Sequence, residues 1–567
     1  MSVFHNNALI GAGGGAAAAA GFQIDRSLRF NSADSAYLNR TPSSAGNRKT
    51  YTLSFWVKKS KIDDEMFIFA AKHSGGRDGF RFEPGNTFRV FFDSANGGDL
   101  VTSQVFRDPS AWYHFVIAVD TTQSTAANRV KIYVNGTQIE DFSTETYPVQ
   151  DYTGEVNNNN VHRIGADTTN LSNTLEGYLT EIHFVDGQAL APTDFGGFDV
   201  NNVWQPKEYS GTYGTNGFRL TFADNSSNAA LGNDSSGNDN DWTVNNLTAS
   251  AIVYSDGISG NLFGGASTTL FDGSTSTGFY PGTTGTAGTF DVTVTFNPGI
   301  SCSSLQIYTA DKQANATGSV SVDGGSHQSV PGSGSYTTLT APSDGTLNTL
   351  VLRRVASSST NNAFRFNAIK VNGVVLTDGV PANIDSLIDT PTNYTADSGN
   401  NGGNYATINP LQTQNYNQGS VVIGNGNLEI DTSGTGWSSA AGTIAVSSGK
   451  WYWEYTCSNL TGSELIRNGI FKQGGVLDGT GGDQFTSPDV YNYASNAQKW
   501  TGSAFTSYGA TYTTGDVIGV ALDLDAGTLT FYKNGSSQGS AYTGLSGTFS
   551  PYFAQSSDPK SLVNFGA

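Results

Sequence analysis

The segment GDVIGVALDLDAGTLTFYKNG, residues 515–535, constrains the fold more than any other part of the chain. Apolar residues such as Val520 and Leu522 alternate with small or acidic ones, which is the two-residue period of a strand with one buried face. Residues 525–527 supply a turn, the alternation then resumes, and residues 534–535, Asn-Gly, tolerate the positive φ of a tight hairpin turn. The segment therefore predicts a β-hairpin.

Two further stretches repeat this construction in different surroundings. VKIYVNG at 130–136 and AIKVNG at 368–373 are both alternating strands that end in Asn-Gly. A chain of 567 residues exceeds the size of one hydrophobic core, and the usual domain length predicts roughly three or four domains. We therefore predict an all-β fold of tandem antiparallel β-sandwiches or jelly rolls, three in number, joined by Gly/Asn-rich connectors.

The composition favours strands and turns over helices. Glycine contributes 69 residues, charged residues only 14%, and the polar remainder is rich in Ser, Thr and Asn, which suit turns and exposed strand faces. Aromatic residues make up 12% of the chain, and their apolar area offsets the entropy lost on ordering. The chain is therefore expected to fold.

Charge and cysteine content restrict the partners and the compartment. The net charge is −19, from 48 acidic and 29 basic residues, and no basic run could follow a phosphate backbone, so nucleic acid is not a predicted partner. Cys302 and Cys457 lie in different predicted domains, so no disulfide framework is expected to support the fold. Synthesis in a reducing cytoplasm is the expectation.

Residues 1–21, MSVFHNNALIGAGGGAAAAAG, are predicted to form an N-terminal arm, because Gly and Ala bury too little area for a core. The arm has no Lys or Arg before Arg26, so it does not match a secretory signal, and no window of the chain predicts membrane insertion. One reading is a disordered tail, and the other is a peptide that docks on a partner or on sister chains. Candidate anchoring residues in the second reading are Phe4, His5, Asn6 and Leu9.

Residues 22–209 are predicted to form the first sandwich, since strand-like runs recur about every ten residues with turn signals between them. Five of its segments carry a resemblance: SLRFNSADSAYL, YTLSFWVKKS, AWYHFVIAVD, NRVKIYVNGTQI and LEGYLTEIHFVDGQAL. Their order and spacing resemble those of concanavalin A-like, laminin-G-type jelly rolls. The resemblance implies a lectin-like fold and says much less about the ligand.

Some relatives of that fold are glucanases, which in the retaining class need two carboxyl groups about 5 Å apart. Glu176, Glu181 and Asp186 are separated by five residues each, so neighbours in this trio point to opposite faces of a continuous strand. No glucanase pair is predicted, and Glu181 is interpreted as a solvated edge residue. Lectin-like jelly rolls often hold calcium at the rim, so Ca²⁺ is a candidate cofactor, with candidate ligands Asp34, Asp93, Asp99, Asp167 and Asp186.

Two Asn/Asp/Ser/Gly-rich passages, 210–250 and 384–411, are predicted to be connectors with Asx-turns. Between them, residues 251–383 hold alternating strands separated by Gly-rich turns and are predicted to form the second sandwich. Its opening DGSTST and its closing AIKVNGVVL resemble the ends of a galactose-binding or discoidin-type jelly roll.

Residues 412–567 are predicted to form the third sandwich. Its segment GKWYWEYTCSNL and the later DLDAGTLTFYKNG hairpin resemble a SPRY domain. The resemblance implies a binding module whose partner is chosen by variable loops, here 473–489 and 495–511. Trp451 and Trp453 alternate with Tyr452 along the strand, so the two tryptophans share one face and the tyrosine lies on the other. One of these two faces is expected in the core and the other partly exposed. Candidate carbohydrate- or partner-binding residues are Trp500, Tyr508, Tyr491 and Asp483.

No catalytic centre is predicted. The six histidines are scattered without the spacing of a zinc site. The sequence offers no Gly-x-Ser-x-Gly elbow that leads into a helix and no glycine-rich phosphate loop that ends in Lys-Ser or Lys-Thr. The prediction is a protein that is not an enzyme and that has no cofactor other than the candidate calcium.

The combination of lectin-like sandwiches, low charge, little cysteine and a Gly/Ala arm resembles multi-domain structural proteins of tailed phages, particularly those of marine cyanobacterial hosts. The resemblance implies a virion protein, a head or tail fibre or decoration, made in the host cytoplasm and released by lysis. Its arm would anchor to capsid, portal or tail proteins, and its loops would contact host-surface saccharide weakly, with avidity from many copies. A homo-oligomer is expected, with a trimer favoured. Two other classes stay open: a purely structural capsid or tail decoration protein that binds no glycan, and a polysaccharide-degrading appendage.

Overall fold

The structure is a computed structural model that describes residues 2–3, 22–73, 76–93, 96–169, 171, 173–200, 202–249, 254–263, 265–272, 274–283, 285–372, 374–376, 384–391, 403–416, 419–434, 436–460, 465–475, 477, 487–500, 504–556 and 558–566. Within these ranges the regular structure consists of strands and short 3-10 helices, without an α-helix, so the predicted all-β fold class is confirmed. No helix in the same ranges has the length and hydropathy needed to cross a bilayer. The chain divides into two compact units, Met1–Ser250 with Ile384–Ala567, and Ala251–Asn383.

The first sandwich follows a short N-terminal strand, β1 (Ser2–Val3). Its strands are β2 (Ser27–Phe30), β3 (Tyr37–Arg40), β4 (Thr50–Lys59), β5 (Met66–His73), β6 (Gly76–Phe82), β7 (Phe88–Phe92), β8 (Asp99–Thr102), β9 (Trp112–Asp120), β10 (Val130–Val134), β11 (Thr137–Gln138), β12 (Phe142–Thr146), β13 (Val161–Ile164), β14 (Gly177–Asp186), β15 (Gly196–Phe198), β16 (Trp204–Pro206), β17 (Phe218–Leu220) and β18 (Thr243–Asn245). Four 3-10 helices lie between them, Ser32–Asp34, Ala126–Asn128, Pro192–Asp194 and Ala229–Gly232.

Two facing sheets enclose the core of this sandwich. One sheet has the order β11-β10-β9-β4-β14-β2, and β17 also pairs with β14; the other has the order β12-β8-β7-β6-β5-β13-β3-β18. Every residue of β4 after Thr50 is buried, so both faces of this strand are covered, and Leu53 and Phe55 lie on the face that packs into the core between the sheets. Phe55 stacks on Phe115 of the neighbouring strand at 5.5 Å between ring centroids. The packing between the sheets is therefore strongly aromatic.

The predicted connector at 210–250 is instead part of the first sandwich, which corrects that interpretation. Strand β17 pairs with β14, and β18 pairs with β3, so this passage adds to both sheets. Trp242 and Leu247 are buried in the same hydrophobic core as the earlier strands. The polar composition of the passage is misleading, because a few well-spaced apolar residues are enough to fix it to the core.

The second unit contains the strands β19 (Ile258–Ser259), β20 (Leu262–Phe263), β21 (Tyr280–Pro281), β22 (Gly288–Ser301), β23 (Leu305–Ala310), β24 (Ala316–Val322), β25 (Gln328–Val330), β26 (Ser335–Leu339), β27 (Thr346–Ala356), β28 (Arg365–Val371) and β29 (Val374–Val375), and the 3-10 helices Tyr254–Gly257 and Ser267–Leu270. Its two main sheets have the orders β19-β22-β27-β24-β25 and β26-β23-β28-β29. A separate hydrophobic core, which includes Leu270, Val292 and Phe366, fills this unit.

Strand β30 (Ser386–Leu387) precedes the third sandwich and belongs to a sheet of the first. The third sandwich contains β31 (Ile408–Tyr416), β32 (Ser420–Gly424), β33 (Glu429–Ser433), β34 (Trp437–Gly442), β35 (Lys450–Asn459), β36 (Leu465–Lys472), β37 (Val490–Ala494), β38 (Gln498–Trp500), β39 (Phe505–Ser507), β40 (Val517–Asp523), β41 (Thr528–Lys533), β42 (Ser536–Thr543), β43 (Phe549–Ser556) and β44 (Lys560–Asn564). One sheet has the order β32-β33-β44-β35-β40-β41-β42, and the other has the order β31-β34-β43-β36-β37-β38-β39. Strand β1 pairs in parallel with β35 through Ser2 and Val3.

The hairpin predicted for 515–535 is confirmed. Strand β40 pairs with β41 up to the Asp523–Thr528 pair, and β41 pairs with β42 across a two-residue turn. Asn534 and Gly535 in that turn have φ values of 48° and 77°, as a type I′ turn requires. The alternation in β35 agrees with the expected two-residue period: Trp453 is buried and half-buried Trp451 packs against the same core, while Tyr452, between them, is half-buried on the other face.

The first and third sandwiches are joined by backbone pairing as well as by side chains. Strand β30 pairs with β2 and extends a sheet of the first sandwich, so the start of the predicted connector 384–411 is part of an interface. Lys58, which is fully buried, donates to Asp389 Oδ2 at 2.8 Å, Asn404 Oδ1 at 2.9 Å and the Tyr405 carbonyl at 2.8 Å. Trp112 Nε1 donates to the other Asp389 oxygen at 3.1 Å.

A second set of contacts joins the same two sandwiches. Tyr178 donates its hydroxyl to the Gly426 carbonyl at 2.6 Å, and the Gly426 N–H donates to Glu176 Oε1 at 2.7 Å. Arg29 forms a buried ion pair with Asp385 at 3.0 Å. Because each of these polar groups has its partner across the junction, the two sandwiches are matched to each other rather than loosely tethered.

Candidate functional site

A polar groove lies at the rim of the first sandwich, where the chain segment that follows β16 meets the segment that follows β17. The groove has a volume of about 640 Å³. It is lined by Tyr209, Ser210, Gly211, Thr212, Tyr213, Gly214, Thr215, Arg219, Ser235, Ser236 and Asn238. Hydroxyl, amide and backbone groups dominate this lining, so the groove offers many neutral hydrogen-bonding atoms.

Asparagine side chains hold the two walls of the groove together. The Asn238 amide donates to the carbonyls of Gly214 at 2.8 Å and Gly217 at 2.9 Å. The Asn240 amide donates to the carbonyls of Thr215 at 3.0 Å and Gly217 at 2.8 Å. These four bonds cross between the walls, so the groove is formed before any ligand arrives.

Two glycines allow this close approach. Gly214 has a φ of 73°, and a Cβ atom there would lie 2.3 Å from the Asp186 carbonyl oxygen. A Cβ atom on Gly217 would lie 1.9 Å from the Tyr213 carbonyl oxygen. Any larger residue at either position would force the wall away from β14, so these glycines are needed for the shape of the groove.

Tyr209 and Tyr213 form the floor of the groove, with ring centroids 5.1 Å apart in an edge-to-face arrangement. The Tyr213 hydroxyl lies 2.8 Å from His183 Nδ1, and His183 Nε2 lies 3.1 Å from Glu181 Oε2. A carboxylate accepts only, so Nε2 carries the imidazole proton and Nδ1 accepts from the tyrosine hydroxyl. The Tyr213 hydroxyl thus points into the protein, whereas the Tyr209 hydroxyl donates to the Thr212 carbonyl of the groove lining at 3.2 Å.

Burial keeps this cluster neutral apart from one ion pair. Desolvation lowers the pKa of His183 below its ordinary value, although hydrogen bonding to Glu181 opposes the change. Desolvation likewise raises the pKa of Tyr213. Both groups are therefore neutral near pH 7, and neither is poised to act as a base.

Glu181 is not the solvated edge residue that the sequence suggested. It is 4% exposed, and its two oxygens accept from Arg219 Nε at 3.1 Å and Arg219 Nη2 at 3.2 Å. The β14–β4 register shifts between Thr180 and His183, and Glu181 has a φ of 45° within this bulge. The bulge turns the carboxylate toward β17 and Arg219, which spacing alone could not indicate, because a bulge breaks the alternation of faces.

The other two members of the acidic trio support loops. Asp186 accepts from the backbone N–H of Asn47 at 2.8 Å and of Asn216 at 3.1 Å, and from the Asn157 amide at 2.6 Å. Glu176 lies at the junction with the third sandwich. The three carboxylates have separate hydrogen-bond partners.

The candidate calcium ligands are engaged by other side chains, and two of them, Asp93 and Asp167, lie against the same arginine, Arg77. Asp99 forms two hydrogen bonds with Arg89, at 2.8 and 2.9 Å, and Asp167 forms an ion pair with Arg77. Asp34 accepts from the Asn31 amide at 2.7 Å, and Asp93 lies 3.9 Å from Arg77. Within the described ranges, no group of three or more His, Cys, Asp or Glu side chains could hold a metal ion.

The structure brings three of the predicted partner-binding residues near Tyr542 in the third sandwich. Trp500 is 6% exposed and donates its indole N–H to the Ser487 carbonyl at 3.0 Å, so its ring is not an exposed stacking surface. Tyr491 packs edge-to-face on Tyr542, whose hydroxyl donates to the Trp500 carbonyl. Tyr508 donates to the Gly539 carbonyl at 2.6 Å and is half-buried. Asp483 and the anchoring residues Phe4, His5, Asn6 and Leu9 lie outside the described residues.

Sequence reasoning missed the rim groove because its residues fall in the passage taken for a connector. A signal was present, since Tyr209 and Tyr213 stand four residues apart in a run otherwise poor in large side chains. Aromatic residues in a Gly/Ser/Asn-rich loop often mark a loop that packs on a core or binds a ligand.

Comparison with known protein families identifies two domains in the chain. Residues 31–194 match the concanavalin A-like lectin/glucanases superfamily, and residues 450–567 match the SPRY domain. Both are binding-type folds, and together they allow carbohydrate or protein binding.

Three solved structures are similar to parts of the chain. The SPRY domain of human HERC1 is 22% identical, covers 28% of this chain and 96% of its own, and has a TM-score of 0.24. The TRIM65 PSpry domain is 15% identical, covers 28% of this chain and 89% of its own, and has a TM-score of 0.23. The native heptameric SAP-like pentraxin from Limulus polyphemus is 13% identical, covers 30% of this chain and 78% of its own, and has a TM-score of 0.23.

Proposed function

We propose that this protein is a non-enzymatic adhesin whose first sandwich binds a neutral saccharide in the rim groove. The observation that carries the proposal is the preformed lining, in which asparagine amides hold hydroxyl-bearing walls over an aromatic floor. Saccharides are recognised by many neutral hydrogen bonds together with contacts to ring carbons, and this lining supplies both. Arg219, the one cation in the described lining of the groove, is already paired with Glu181, which favours a neutral ligand over an anionic one.

Binding is a better account of this site than hydrolysis. Two carboxylates contact the groove lining, and both already accept hydrogen bonds: Glu181 from Arg219 and His183, and Asp234 from the Arg219 backbone N–H and from Ser236. A glycosidase needs one carboxyl group that can give up a proton and a second group placed across the scissile bond. The groove lining contains no Asp or Glu among the described residues, so we assign it recognition alone.

The proposed setting is the virion of a tailed phage, as a head or tail appendage made in the host cytoplasm and released by lysis. The support for this setting is the sequence resemblance together with the arm at residues 1–21. The arm would attach to capsid, portal or tail proteins, and a homo-oligomer, with a trimer favoured, would present several grooves at once. Weak single-site affinities then add to a firm attachment, because linked sites raise the effective concentration of the next contact.

The test is a glycan array of neutral host-type saccharides, probed with labelled full-length protein and with Thr215→Trp. Thr215 is exposed in the groove lining and contributes only its backbone carbonyl to the wall contacts, so an indole there fills the groove without removing a bond. Thr144→Trp, at an exposed position on β12, is the matched control. We expect Thr215→Trp to lose at least tenfold in apparent affinity and Thr144→Trp to bind like the parent. Equal binding by all three proteins would refute the groove as the saccharide site.

A further inference from the structure

The chain contains eight Asn-Gly pairs, and this dipeptide is the one in which an asparagine most readily loses its amide. The glycine backbone nitrogen attacks the side-chain carbonyl carbon, the carbon–nitrogen bond of the amide breaks, and the amide nitrogen leaves as ammonia. Water then opens the succinimide ring to aspartate or isoaspartate. Glycine permits the attack because it has no Cβ atom to hinder it. The pairs begin at Asn96, Asn135, Asn216, Asn372, Asn401, Asn425, Asn468 and Asn534.

Three of these asparagines extend a strand pair by one residue. Asn135 follows β10, donates its backbone N–H to the His114 carbonyl at 2.9 Å and accepts from the His114 N–H through its side-chain oxygen at 2.8 Å. Asn534 follows β41 and forms the same two bonds with Val517, both at 2.8 Å. In both cases the side-chain oxygen takes the place of the backbone carbonyl that a continuing ladder would supply.

The third case lies in the second unit. Asn372 follows β28 and donates its backbone N–H to the Ser304 carbonyl at 2.9 Å, and its side-chain oxygen accepts from the Ser304 N–H at 3.1 Å and from the Ser303 N–H at 2.8 Å. We call Asn135, Asn372 and Asn534 the ladder-end asparagines. Their side-chain carbonyls are fixed to a neighbouring strand, so the turn must open before the carbonyl carbon can reach the glycine nitrogen.

Three further pairs are held in other ways. Asn216 is 4% exposed, and its amide donates two hydrogen bonds, at 2.8 and 2.9 Å. In the pair Asn425-Gly426 the reacting nitrogen is engaged, because the Gly426 N–H donates to Glu176 Oε1 at 2.7 Å. Asn468 is fully buried within β36, which is paired on both sides. None of these three can form the succinimide without a local opening of the structure.

Asn96 differs from the other described pairs. It lies between β7 and β8, is exposed and has a φ of 65°. Its backbone carbonyl accepts from the Val149 N–H at 3.1 Å, but its side-chain amide forms no hydrogen bond with any residue that the structure describes. The amide can therefore turn toward the Gly97 nitrogen without first breaking a side-chain bond. Asn401 lies outside the described residues.

We propose that Asn96 is the site of spontaneous deamidation in the folded protein and that the ladder-end bonds protect their three turns from the same reaction. The reaction adds one carboxylate to the connection between β7 and β8, where Asp93 already lies 3.9 Å from Arg77. This connection is not part of the described lining of the rim groove, so the proposal is independent of saccharide binding.

Peptide mapping by mass spectrometry measures the conversion directly. Full-length protein is incubated in mildly alkaline buffer, either folded or unfolded in urea, and the mass gain of each Asn-Gly peptide is followed with time. In urea all pairs should convert at similar rates, because no contact distinguishes them. In the folded protein Asn96 should convert at least about tenfold faster than any ladder-end asparagine, since each of those turns must first break its hydrogen bonds. Equal rates in the folded protein, or no conversion at Asn96, would overturn the proposal.

Val517→Pro tests the protection itself. Val517 is the first residue of β40, a position where proline is tolerated, and the substitution removes the N–H that donates to the Asn534 side chain. Asn534 should then convert several-fold faster than in the parent, while Asn135, in the other sandwich, keeps its rate and is the matched control. An unchanged rate at Asn534 would overturn the protective role. Acceleration at Asn135 as well shows that the variant has lost its fold, and the rates in the folded parent then decide.

Asn96→Gln tests the assignment of the site. Glutamine keeps the amide but must close a larger ring, which forms far more slowly, so the early mass gain should disappear from this peptide. Asn348→Gln, at an exposed asparagine that no glycine follows, is the matched control and should leave the gain at residue 96 unchanged. A gain that persists in Asn96→Gln would place the reaction at another residue and overturn the assignment.

Discussion

Removing the positive charge at the junction of the first and third sandwiches should strongly destabilise the protein. Lys58 is fully buried and makes three hydrogen bonds, and its carboxylate partner Asp389 is 1% exposed. Lys58→Met leaves Asp389 buried with only neutral donors, chiefly Trp112. Burial raises the pKa of Asp389, and Lys58 is the main group that opposes this rise, so the carboxylate would lose its principal stabilising charge.

The expected cost is about 3–5 kcal/mol, the range found when one partner of a buried ion pair is removed. At about 1.4 kcal/mol per factor of ten, the unfolding constant should rise roughly 10²- to 10³-fold or slightly more. With a slope of about 3 kcal/mol per M, the urea midpoint should fall by about 1–2 M. Equilibrium unfolding monitored by tryptophan fluorescence measures this directly.

Two further variants make the result specific. Lys58→Met combined with Asp389→Leu removes both charges and should recover much of the lost stability, because no uncompensated charge stays buried. Lys61→Met removes one partner of the exposed ion pair with Asp64 and should cost less than about 1 kcal/mol. If Lys58→Met costs no more than Lys61→Met, the buried ion pair does not hold the sandwiches together and the reasoning fails.

Three further outcomes test local features. Desolvation raises the pKa of Asp78 to about 7, above its unfolded value, so the contribution of Asp78 to stability is present at low pH and lost as the pH rises through 7. In denaturant titrations, the free energies of unfolding of Asp78→Asn and the parent should diverge by up to about 1.4 kcal/mol per pH unit between about pH 4 and pH 7. Parallel pH profiles of the two proteins would contradict this. Trp453→Ala should cost about 3–5 kcal/mol and half-buried Trp451→Ala clearly less, and calorimetry showing equal costs would contradict the burial pattern. Gly535 has a φ of 77° with open space around it, so Gly535→Ala should lower the free energy of unfolding by about 1–2 kcal/mol through backbone strain alone. Ser536→Ala is the control and should leave that free energy unchanged. Equal urea midpoints for the two variants would count against the type I′ turn.

Much of the architecture could be predicted from local patterns. The hairpin at 515–535 follows from alternation and Asn-Gly, both of which act within a few residues of the chain. The core-facing side of β35, with Trp451 and Trp453 on one face and Tyr452 on the other, follows from the same two-residue period. The all-β class needs no long-range information, because composition and period already favour strands over helices.

The parts that could not be predicted depend on contacts between distant residues. Glu181 pairs with Arg219 because a bulge turns its side chain, and a bulge has no simple sequence signature. The segment 210–250 reads as a connector because most of its residues are polar, although Trp242 is in the core. The sequence around Arg467 predicts an ordinary strand residue, and only the structure shows that the rings of Trp437 and Phe505 enclose its guanidinium.

The central claim is that this protein attaches to cells through saccharide in the rim groove. The most direct measurement is the binding of labelled full-length protein, of protein without residues 1–21, and of Thr215→Trp to intact host cells and to virions that lack the protein. The account predicts that cell binding survives loss of the arm and is abolished by Thr215→Trp, while virion binding requires the arm. Binding to virions with none to cells would contradict the account and identify a decoration protein that does not act as an adhesin.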